Sequence, residues 1–359
     1  MADDKRTISR RGFVGAAGGA AAAGALGPFS GLASAHGRGH DHGRGGDIPE
    51  ERIGIQLFTV RDLLADNELD LPGTFEVLAD AGYALVEVGG NYDGRTAAEF
   101  RALANQYGLR PEGSHVPGGG NAWRTNRAQI FADAQALGLR YVGLASPPPN
   151  TPQTHEAYAA LAAEFNQWGA EARAHGLRFY FHNHPGDFAL DAGTPIYDTL
   201  LEESDPRLVF FELDIAWIEA GGQSAYEYLR RYGWRRFPLF HVKDLTWTDP
   251  GYPAGVQPGA APRRTPANVN LPNRPFWLRD VGKGDLDFAR IFSALRDPRD
   301  HVYHVEHDDA PDDETASNPP GTPPGTPLPP RPRNPAGSAN TAWTSRKYLA
   351  ELEIPRRRW

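Results

Sequence analysis

Imidazole and carboxylate groups end four successive apolar segments in the second half of the chain. In chain order they are His182 with His184, then Asp214, His241 and Glu306. Mixed sets of histidine and carboxylate ligands bind divalent metal ions and leave positions for water or substrate. The pattern therefore predicts one bound divalent ion, which would be Mn²⁺, Co²⁺, Zn²⁺ or Mg²⁺. The predicted ligands are His182, Asp214, His241 and Glu306.

The same segments carry groups that can take up or donate a proton. Because side chains alternate along a strand, His182 and His184 are expected on the same side of theirs. His182, His184 or Glu306 can act as a base beside the metal. The alternative for the two histidines is a structural role, as a hydrogen-bonded pair under a loop. Lys243 stands two residues after His241 and can polarise a carbonyl or bind an anionic group.

Four residues at or near other predicted strand ends are candidates for substrate contacts. They are Arg61, Glu87, His115 and Trp217. Glu87 can bind a sugar hydroxyl, or it can pair with Arg61 instead. His115 can bind a hydroxyl, act as an acid, or serve a structural role. Trp217 can stack on a sugar ring, although core packing is the more common use of tryptophan.

The elements that position these residues are eight short apolar runs separated by longer amphipathic stretches. The runs predict strands at 53–57, 84–88, 109–115, 141–145, 179–184, 208–214, 238–242 and 302–306. The stretches predict helices at 71–81, 96–107, 124–137, 154–175, 194–203, 224–232, 285–295 and 344–352. Strands that alternate with helices pair in parallel, and eight such repeats predict a single-domain (β/α)8 TIM barrel over residues 51–359.

The barrel prediction also locates the candidate site. No glycine-rich phosphate fingerprint follows the first strand, which argues against a Rossmann fold. In TIM barrels, active sites lie at the carboxyl ends of the strands, which is where most of the polar residues above fall.

Two segments interrupt the repeat. Residues 246–280 follow the seventh strand and are rich in proline, glycine and tryptophan, which predicts a lid-like loop. Residues 311–340 follow the eighth strand and are rich in proline, which predicts a flexible insertion without a catalytic role.

The N-terminus has the pattern of an export signal. Paired Arg10 and Arg11 precede an Ala- and Gly-rich stretch, and Ala33–Ala35 fits a cleavage site for a signal that spans residues 1–35. This resembles a twin-arginine signal. Residues 36–50 contain many histidines and glycines, which predicts a linker. We therefore expect a periplasmic or extracellular protein with no stable membrane association after cleavage.

Composition excludes several function classes. The chain has 359 residues, a net charge of −8 and no cysteine. The acidic balance argues against a nucleic-acid partner, and the lack of thiols excludes disulfides and thiolate metal sites. Hydrophobic residues make up 40% of the chain, enough for a large core. A homo-oligomer is compatible with this composition.

Several motifs, in this order, resemble those of the sugar phosphate isomerase/epimerase-like proteins, which are xylose isomerase-like TIM barrels. The motifs lie at 54–61, 82–88, 181–184, 212–217, 241–244, 281–288 and 305–308. The resemblance implies one divalent metal held by Glu, Asp, His and Glu from strands five to eight. Asp214, His241 and Glu306 match the last three ligands, whereas His182 replaces the first glutamate.

The resemblance also implies an activity. We expect an exported, metal-dependent isomerase or epimerase that acts on a keto-sugar or glycoside through an enediolate. The replacement at His182 puts the symmetric mechanism with two glutamates in question, because His182 can be a ligand or the base. One alternative is a metal-dependent lyase or dehydratase acting on a 3-keto-glycoside or polyol ketone. The others are an endonuclease-four-like hydrolase, which the acidic charge disfavours, and a non-catalytic sugar-binding barrel.

Overall fold

Eight parallel strands form the barrel in the computed structural model, which describes residues 46–65, 70–90, 92–116, 118–247, 276–310 and 337–355. The strands are β1 (Ile53–Gln56), β2 (Leu85–Val88), β3 (Arg110–Ser114), β4 (Tyr141–Leu144), β5 (Arg178–His182), β6 (Val209–Asp214), β7 (Leu239–Val242) and β8 (Val302–Val305). Their hydrogen-bonded order is β3-β2-β1-β8-β7-β6-β5-β4. A parallel bridge between His115 and Gly143 joins β3 to β4, so the sheet closes on itself. The predicted TIM barrel is confirmed.

The strand sequences explain which face lies inside the barrel. On β5, Phe179 and Phe181 pack outward against Phe165, with ring centroids 5.0 and 5.4 Å apart. Tyr180 lies between them and faces inward, because side chains alternate along a strand. It belongs to a small inner cluster at the bottom of the barrel. The cluster comprises Leu85, Tyr141, Tyr180, Leu239 and Val302.

The helices surround this barrel. They are α1 (Arg61–Ala65), α2 (Leu71–Asp80), α3 (Ala97–Gln106), α4 (Gly119–Thr125), α5 (Arg127–Leu137), α6 (His155–Ala174), α7 (Ile196–Glu203), α8 (Ile215–Ala220), α9 (Ala225–Tyr232), α10 (Phe288–Phe292) and α11 (Gly337–Glu351). Side-chain caps begin several of them: Asp70 accepts from the N–H of Gly73, and Thr96 forms a capping box with Glu99. None of the described helices is long and apolar enough to cross a bilayer.

Three helix predictions need correction. The helix predicted at 124–137 covers the end of α4 and all of α5, which are separated at Asn126 because its φ of −142° and ψ of 34° are not helical. The helix predicted at 285–295 is reduced to α10, and the last helix begins at Gly337 rather than at 344. Helices α1 and α8 were not predicted. Helix α8 begins directly after β6 because the Asp214 side chain accepts from the N–H of Trp217.

The described residues reach only part of the predicted segments. Residues 244–247 and 276–279 pair as an antiparallel ribbon, which forms the two ends of the predicted lid-like loop. Residues 248–275 of that loop, 311–336 of the proline-rich insertion, the signal at 1–35 and residues 36–45 of the linker lie outside the described residues. Ile48 is buried, and the N–H of Gly46 donates to Ala350 O at 2.7 Å. The folded part therefore begins before the predicted boundary at residue 51.

Candidate metal centre

The carboxyl ends of β5 to β8 bring the four predicted ligands together. His182, Asp214, His241 and Glu306 each offer one donor atom, and these atoms all lie within 4.8 Å of one another. We call these four residues the metal group. Nδ1 of His241 lies 2.7 Å from Oε2 of Glu306, and Nε2 of His182 lies 3.4 Å from Oδ2 of Asp214. Donors bound at about 2.1 Å to one ion lie roughly 3 to 4 Å apart, so the donor set fits a divalent metal.

Backbone contacts fix the strand ends that carry the metal group. Asn183 donates from Nδ2 to the carbonyl of Asp214 at 3.3 Å and accepts from the N–H of Asp214 at 3.0 Å. This reciprocal pair holds the end of β5 against the end of β6. The carboxylate of Asp214 also caps α8, accepting from the N–H of Trp217 at 2.8 Å. Asp214 is therefore oriented by the local fold and not only by its neighbours in the group.

Lys243 places an ammonium group beside the two carboxylates of the metal group. Its Nζ lies 3.1 Å from Asp214 Oδ2, 2.8 Å from Glu306 Oε2 and 2.6 Å from Asp308 Oδ2. Burial acts to lower the pKa of Lys243, but the three carboxylates outweigh it and raise the pKa above its usual value. The lysine therefore stays charged and neutralises the site.

Neighbouring charges shift the pKa values of Glu306 and His182 so that one is ionised and the other is neutral. Burial acts to raise the pKa of Glu306, but Lys243 and His241 hold it well below its usual value, so this carboxylate is ionised. Burial and the charge of His241 lower the pKa of His182 well below its usual value. His182 is therefore neutral, which is the form in which an imidazole binds metal or accepts a proton.

His184 lies next to the metal group. Its ring centroid is 4.8 Å from that of His182 and 6.2 Å from that of Trp217. Among the described residues, its buried Nδ1 has no hydrogen-bond partner. Burial, followed by the charge of Lys243, lowers the pKa of His184 to about 4. A neutral imidazole with an unused nitrogen beside the metal group is suited to contact a substrate.

A second set of polar side chains lies deeper in the barrel, and the sequence analysis missed most of it. We call it the lower group; its members are Gln56, Glu87, Tyr180, Glu212 and His304. Glu212 and His304 precede Asp214 and Glu306 by two residues, so they face inward on the same strands one level below. This spacing was the signal in the sequence that could have identified them.

The carboxylates of the lower group are held by neighbouring donors. Oε2 of Glu212 lies 3.1 Å from Nε2 of His115, and its Oε1 lies 3.0 Å from Nδ1 of His304. Burial acts to raise the pKa of Glu87, but His115, His241 and His304 outweigh it and lower the pKa. Burial acts to lower the pKa of His241, but Glu212, Glu306 and Glu87 raise it well above its usual value. His241 thus links the two groups.

The candidates for substrate contacts lie in different places. Glu87 is fully buried in the lower group, and its alternative pairing with Arg61 is wrong. Arg61 instead donates to the carbonyls of Phe58 at 2.8 Å and Asp308 at 2.5 Å, at the rim of the barrel. His115 is partly exposed, at 13% of its side chain, and contacts Glu212. Trp217 is buried, with Nζ of Lys243 4.3 Å from the centroid of its ring.

Comparisons with known proteins agree with this architecture. The model of a family described as xylose isomerase-like TIM barrel matches residues 75–323. The chain is 27% identical to an inosose dehydratase of Clostridium perfringens over 172 residues, which are 46% of this chain and 50% of that protein. The chain therefore spans about half the length of the curated relatives it matches.

Two solved structures show the same fold. A sugar phosphate isomerase/epimerase from Parabacteroides distasonis superposes with a TM-score of 0.56 at 21% identity, covering 83% of this chain and 93% of that chain. The IolI protein, solved with a bound zinc atom, superposes with a TM-score of 0.55 at 13% identity, covering 82% of this chain and 95% of that chain. At these identities the likeness establishes the fold alone.

Proposed function

Because the chain belongs to the xylose isomerase-like TIM barrel family, we propose that it is a divalent-metal-dependent enzyme acting on a keto-sugar or a related glycoside. The observation that carries this proposal is the convergence of two imidazoles and two carboxylates within 4.8 Å. Lys243 is already shared among Asp214, Glu306 and Asp308, so the site has an excess of acidic groups. A divalent ion would offset that excess, so the charge of the site does not decide between phosphorylated and free sugars. We prefer a substrate without phosphate because no glycine-rich phosphate-binding fingerprint follows the first strand.

We assign a different role in the reaction to each side chain around the metal group. A divalent ion bound there would polarise a substrate carbonyl and stabilise the negative charge that develops on its oxygen. We assign to His184, which is neutral and has an unused Nδ1, the removal of the proton from the carbon next to that carbonyl. Lys243 keeps its charge and can donate a hydrogen bond to a neighbouring hydroxyl. If His182 serves as a ligand, His184 and Glu306 remain as proton carriers.

The reaction that we favour is isomerisation or epimerisation, in which the proton returns to the substrate on a neighbouring carbon or on the opposite face. The second candidate is dehydration of a polyol ketone. In that reaction the base removes the proton, and an adjacent hydroxyl leaves as water after protonation. Two points support this candidate: His182 stands where the resemblance implies a glutamate in the family, and a curated relative is named an inosose dehydratase.

A deuterium exchange assay separates these reactions. The metal-loaded protein would be incubated in D₂O with a panel of ketoses, inososes and 3-keto-glycosides, and the products analysed by NMR and mass spectrometry. An isomerase or epimerase would give products of unchanged composition that carry deuterium. A dehydratase would give products lighter by one water. Metal binding without exchange on any member of the panel would contradict both and favour a sugar-binding barrel.

We also propose that the chain is exported through its N-terminal signal and acts on a small sugar outside the cytoplasm. The paired Arg10 and Arg11 and the small residues at 33–35 support this proposal. N-terminal sequencing of the mature protein from cell fractions would test it. A protein that starts near His36 in the exported fraction is expected, and an intact Met1 on a cytoplasmic form would contradict export.

A further inference from the structure

The lower group is an unusual filling for the inside of a TIM barrel. Such barrels are packed mainly with branched apolar side chains arranged in layers. Here Gln56, Glu87, Tyr180, Glu212 and His304 are each at most 1% exposed. Burying carboxylates in this way is costly unless neighbouring donors satisfy them. The group is therefore expected to have a purpose beyond packing.

Glycines on the surrounding strands make room for these polar side chains. A Cβ atom at Gly54 would lie 2.6 Å from Cδ2 of His304. A Cβ atom at Gly113 would lie 3.0 Å from Oε1 of Glu87 and 3.3 Å from the hydroxyl of Tyr180. Real Cβ contacts are rarely so short, so larger residues would displace the group. The backbone of β1 and β3 is thus adapted to the lower group.

Glu87 makes the shortest contact between the lower group and the metal group. Its Oε2 accepts from Nε2 of Gln56 at 2.6 Å and lies 2.6 Å from Nε2 of His241. Its Oε1 accepts from the hydroxyl of Tyr180 at 2.5 Å. Gln56 and Tyr180 therefore hold the carboxylate from two sides. An ionised carboxylate only accepts hydrogen bonds, so the Nε2 of His241 must donate to it.

The two nitrogens of His241 thus face different groups. Nε2 faces Glu87, whereas Nδ1 lies 2.7 Å from Glu306 and 3.8 Å from Asp214. A nitrogen must give up its proton to bind a metal, and only Nδ1 faces the metal group. In metal sites, a carboxylate that accepts from the second nitrogen of a ligand histidine fixes the ring and increases its basicity.

We propose that Glu87 is a positioning residue of the metal centre, which keeps the proton of His241 on Nε2 and presents Nδ1 as the metal ligand. This inference rests on the proposed metal site. Glu212 supports the arrangement, since its Oε2 lies 3.2 Å from the same Nε2 and its two oxygens are held by His115 and His304. Glu87 then acts through His241 and not on the substrate, and the lower group fixes the orientation of the His241 ring.

Metal binding to the full-length protein tests the role of Glu87. The apo form of the wild type and of Glu87→Gln would be titrated with Co²⁺ by calorimetry, and the visible absorption of bound Co²⁺ would be recorded. We expect one ion per chain in the wild type and an affinity about 10- to 100-fold weaker in Glu87→Gln, with an altered Co²⁺ spectrum. Asp198→Asn is the matched control, because Asp198 is a buried carboxylate that accepts from the hydroxyl of Tyr228. Its affinity and spectrum should equal those of the wild type.

The outcomes separate this inference from the proposed function. Absence of stoichiometric Co²⁺ in the wild type would overturn the metal site itself. A wild-type protein that binds one ion, with the same affinity and spectrum in Glu87→Gln, would overturn only the positioning role. Two ions in the wild type and one in Glu87→Gln would make Glu87 a ligand of a second ion and would also overturn it.

If Glu87→Gln does not fold, the variant Tyr180→Phe tests the same role of Glu87. Tyr180→Phe removes one of the donors that hold the carboxylate of Glu87 but leaves the charge in place. We expect its Co²⁺ affinity to fall by about 3-fold, the equivalent of one ordinary hydrogen bond. An affinity identical to that of the wild type would overturn the inference.

Discussion

The metal group and the lower group share residue types and three strands, β5, β6 and β8, yet their environments differ. Each contains two buried carboxylates and at least one buried histidine, and Asp214 and Glu212 stand only two residues apart on β6. In the lower group, both oxygens of Glu87 and of Glu212 meet polar side chains from other strands, most of them across the barrel. In the metal group, the carboxylates of Asp214 and Glu306 share the ammonium of Lys243.

This difference indicates which group can exchange its cation for a metal. In the lower group, an ion could bind a carboxylate only by displacing the Tyr, Gln and His side chains that contact it, and those hydrogen bonds would be lost. A carboxylate paired with the end of a flexible lysine side chain can exchange one cation for another at lower cost. Residue type and distance do not separate the two groups, because Glu87, Glu212 and His304, together with His241, also have donor atoms within 4.8 Å of one another.

The largest expected effect tests whether the metal group alone binds the ion. Asp214→Ala and His241→Ala should each weaken Co²⁺ affinity by more than about 100-fold, because even residues that only orient ligands affect affinity by about 10- to 100-fold. Metal analysis of the purified proteins and calorimetry would measure this. Undiminished metal content in both variants would place the ion elsewhere.

Loss of the helix cap must be separated from loss of a ligand in Asp214→Ala. The side chain of Asp214 also caps α8, and removal of a cap destabilises a protein by about 1 kcal/mol. Thr154→Ala is the matched control, because Thr154 caps α6 and accepts from the N–H of Ala157 at 3.2 Å. It should lose similar stability in urea and retain the wild-type metal content.

The next prediction concerns the cation that is already present in the metal group. Lys243→Met removes the ammonium between Asp214 and Glu306 but keeps most of the side-chain volume. Because a bound ion then no longer competes with the lysine, Co²⁺ affinity should rise by about tenfold, which is ~1.4 kcal/mol. Activity should fall. Lys283→Met is the control, because Lys283 is exposed, and it should leave Co²⁺ affinity and activity unchanged. A lower Co²⁺ affinity in Lys243→Met would contradict the idea that Lys243 competes with the ion.

Much of the fold could be predicted from the sequence. The eight apolar runs are bounded by turn signals, and each run lies within one or two residues of an observed strand. Helix α8 was missed because its first turn depends on the side chain of Asp214, which was interpreted only as a metal ligand. The break at Asn126 was missed because the apolar spacing continues through it.

The site could be predicted only in part, for a physical reason. Metal ligands at the strand ends are recognisable because topology alone brings successive strand ends together. The lower group depends on register and on contacts across the barrel, such as Tyr180 on β5 with Glu87 on β2. These strands are not neighbours in the sheet, so no local pattern shows the pairing. The inward spacing of Glu212 and Asp214 was the available clue.

A stability measurement tests whether the lower group depends on space inside the barrel. A Cβ atom at Gly54 would lie 2.6 Å from His304 and 2.9 Å from the Cβ of Leu85. Gly54→Ala should therefore destabilise the protein by about 1–3 kcal/mol, the usual cost of overpacking a core. Urea unfolding would measure it. Gly186→Ala is the control, because the new Cβ would meet only the flexible amide of Gln153, and equal stability of both variants would contradict the space argument.

The last prediction concerns His182, whose nitrogens make only long contacts in the metal group. Its Nε2 lies 3.4 Å from Asp214, and its Nδ1 lies 3.4 Å from the carbonyl of Ala145. His182→Glu replaces a neutral nitrogen ligand with an anionic oxygen ligand, as the resemblance implies for the family. The variant should keep one ion per chain, because the donor count is unchanged, and should shift its preference from Zn²⁺ toward harder ions such as Mn²⁺.

The ratio of Mn²⁺ to Zn²⁺ affinity is the measurement that decides the role of His182. We expect this ratio to rise by about tenfold, or ~1.4 kcal/mol, in His182→Glu. His184→Glu is the matched control, because His184 lies beside His182 but outside the metal group, and its ratio should stay that of the wild type. If His182→Glu keeps the wild-type ratio, His182 is not a ligand, and Asp214, His241 and Glu306 hold the ion without it. His182 would then join His184 as a neutral imidazole that is available to the substrate.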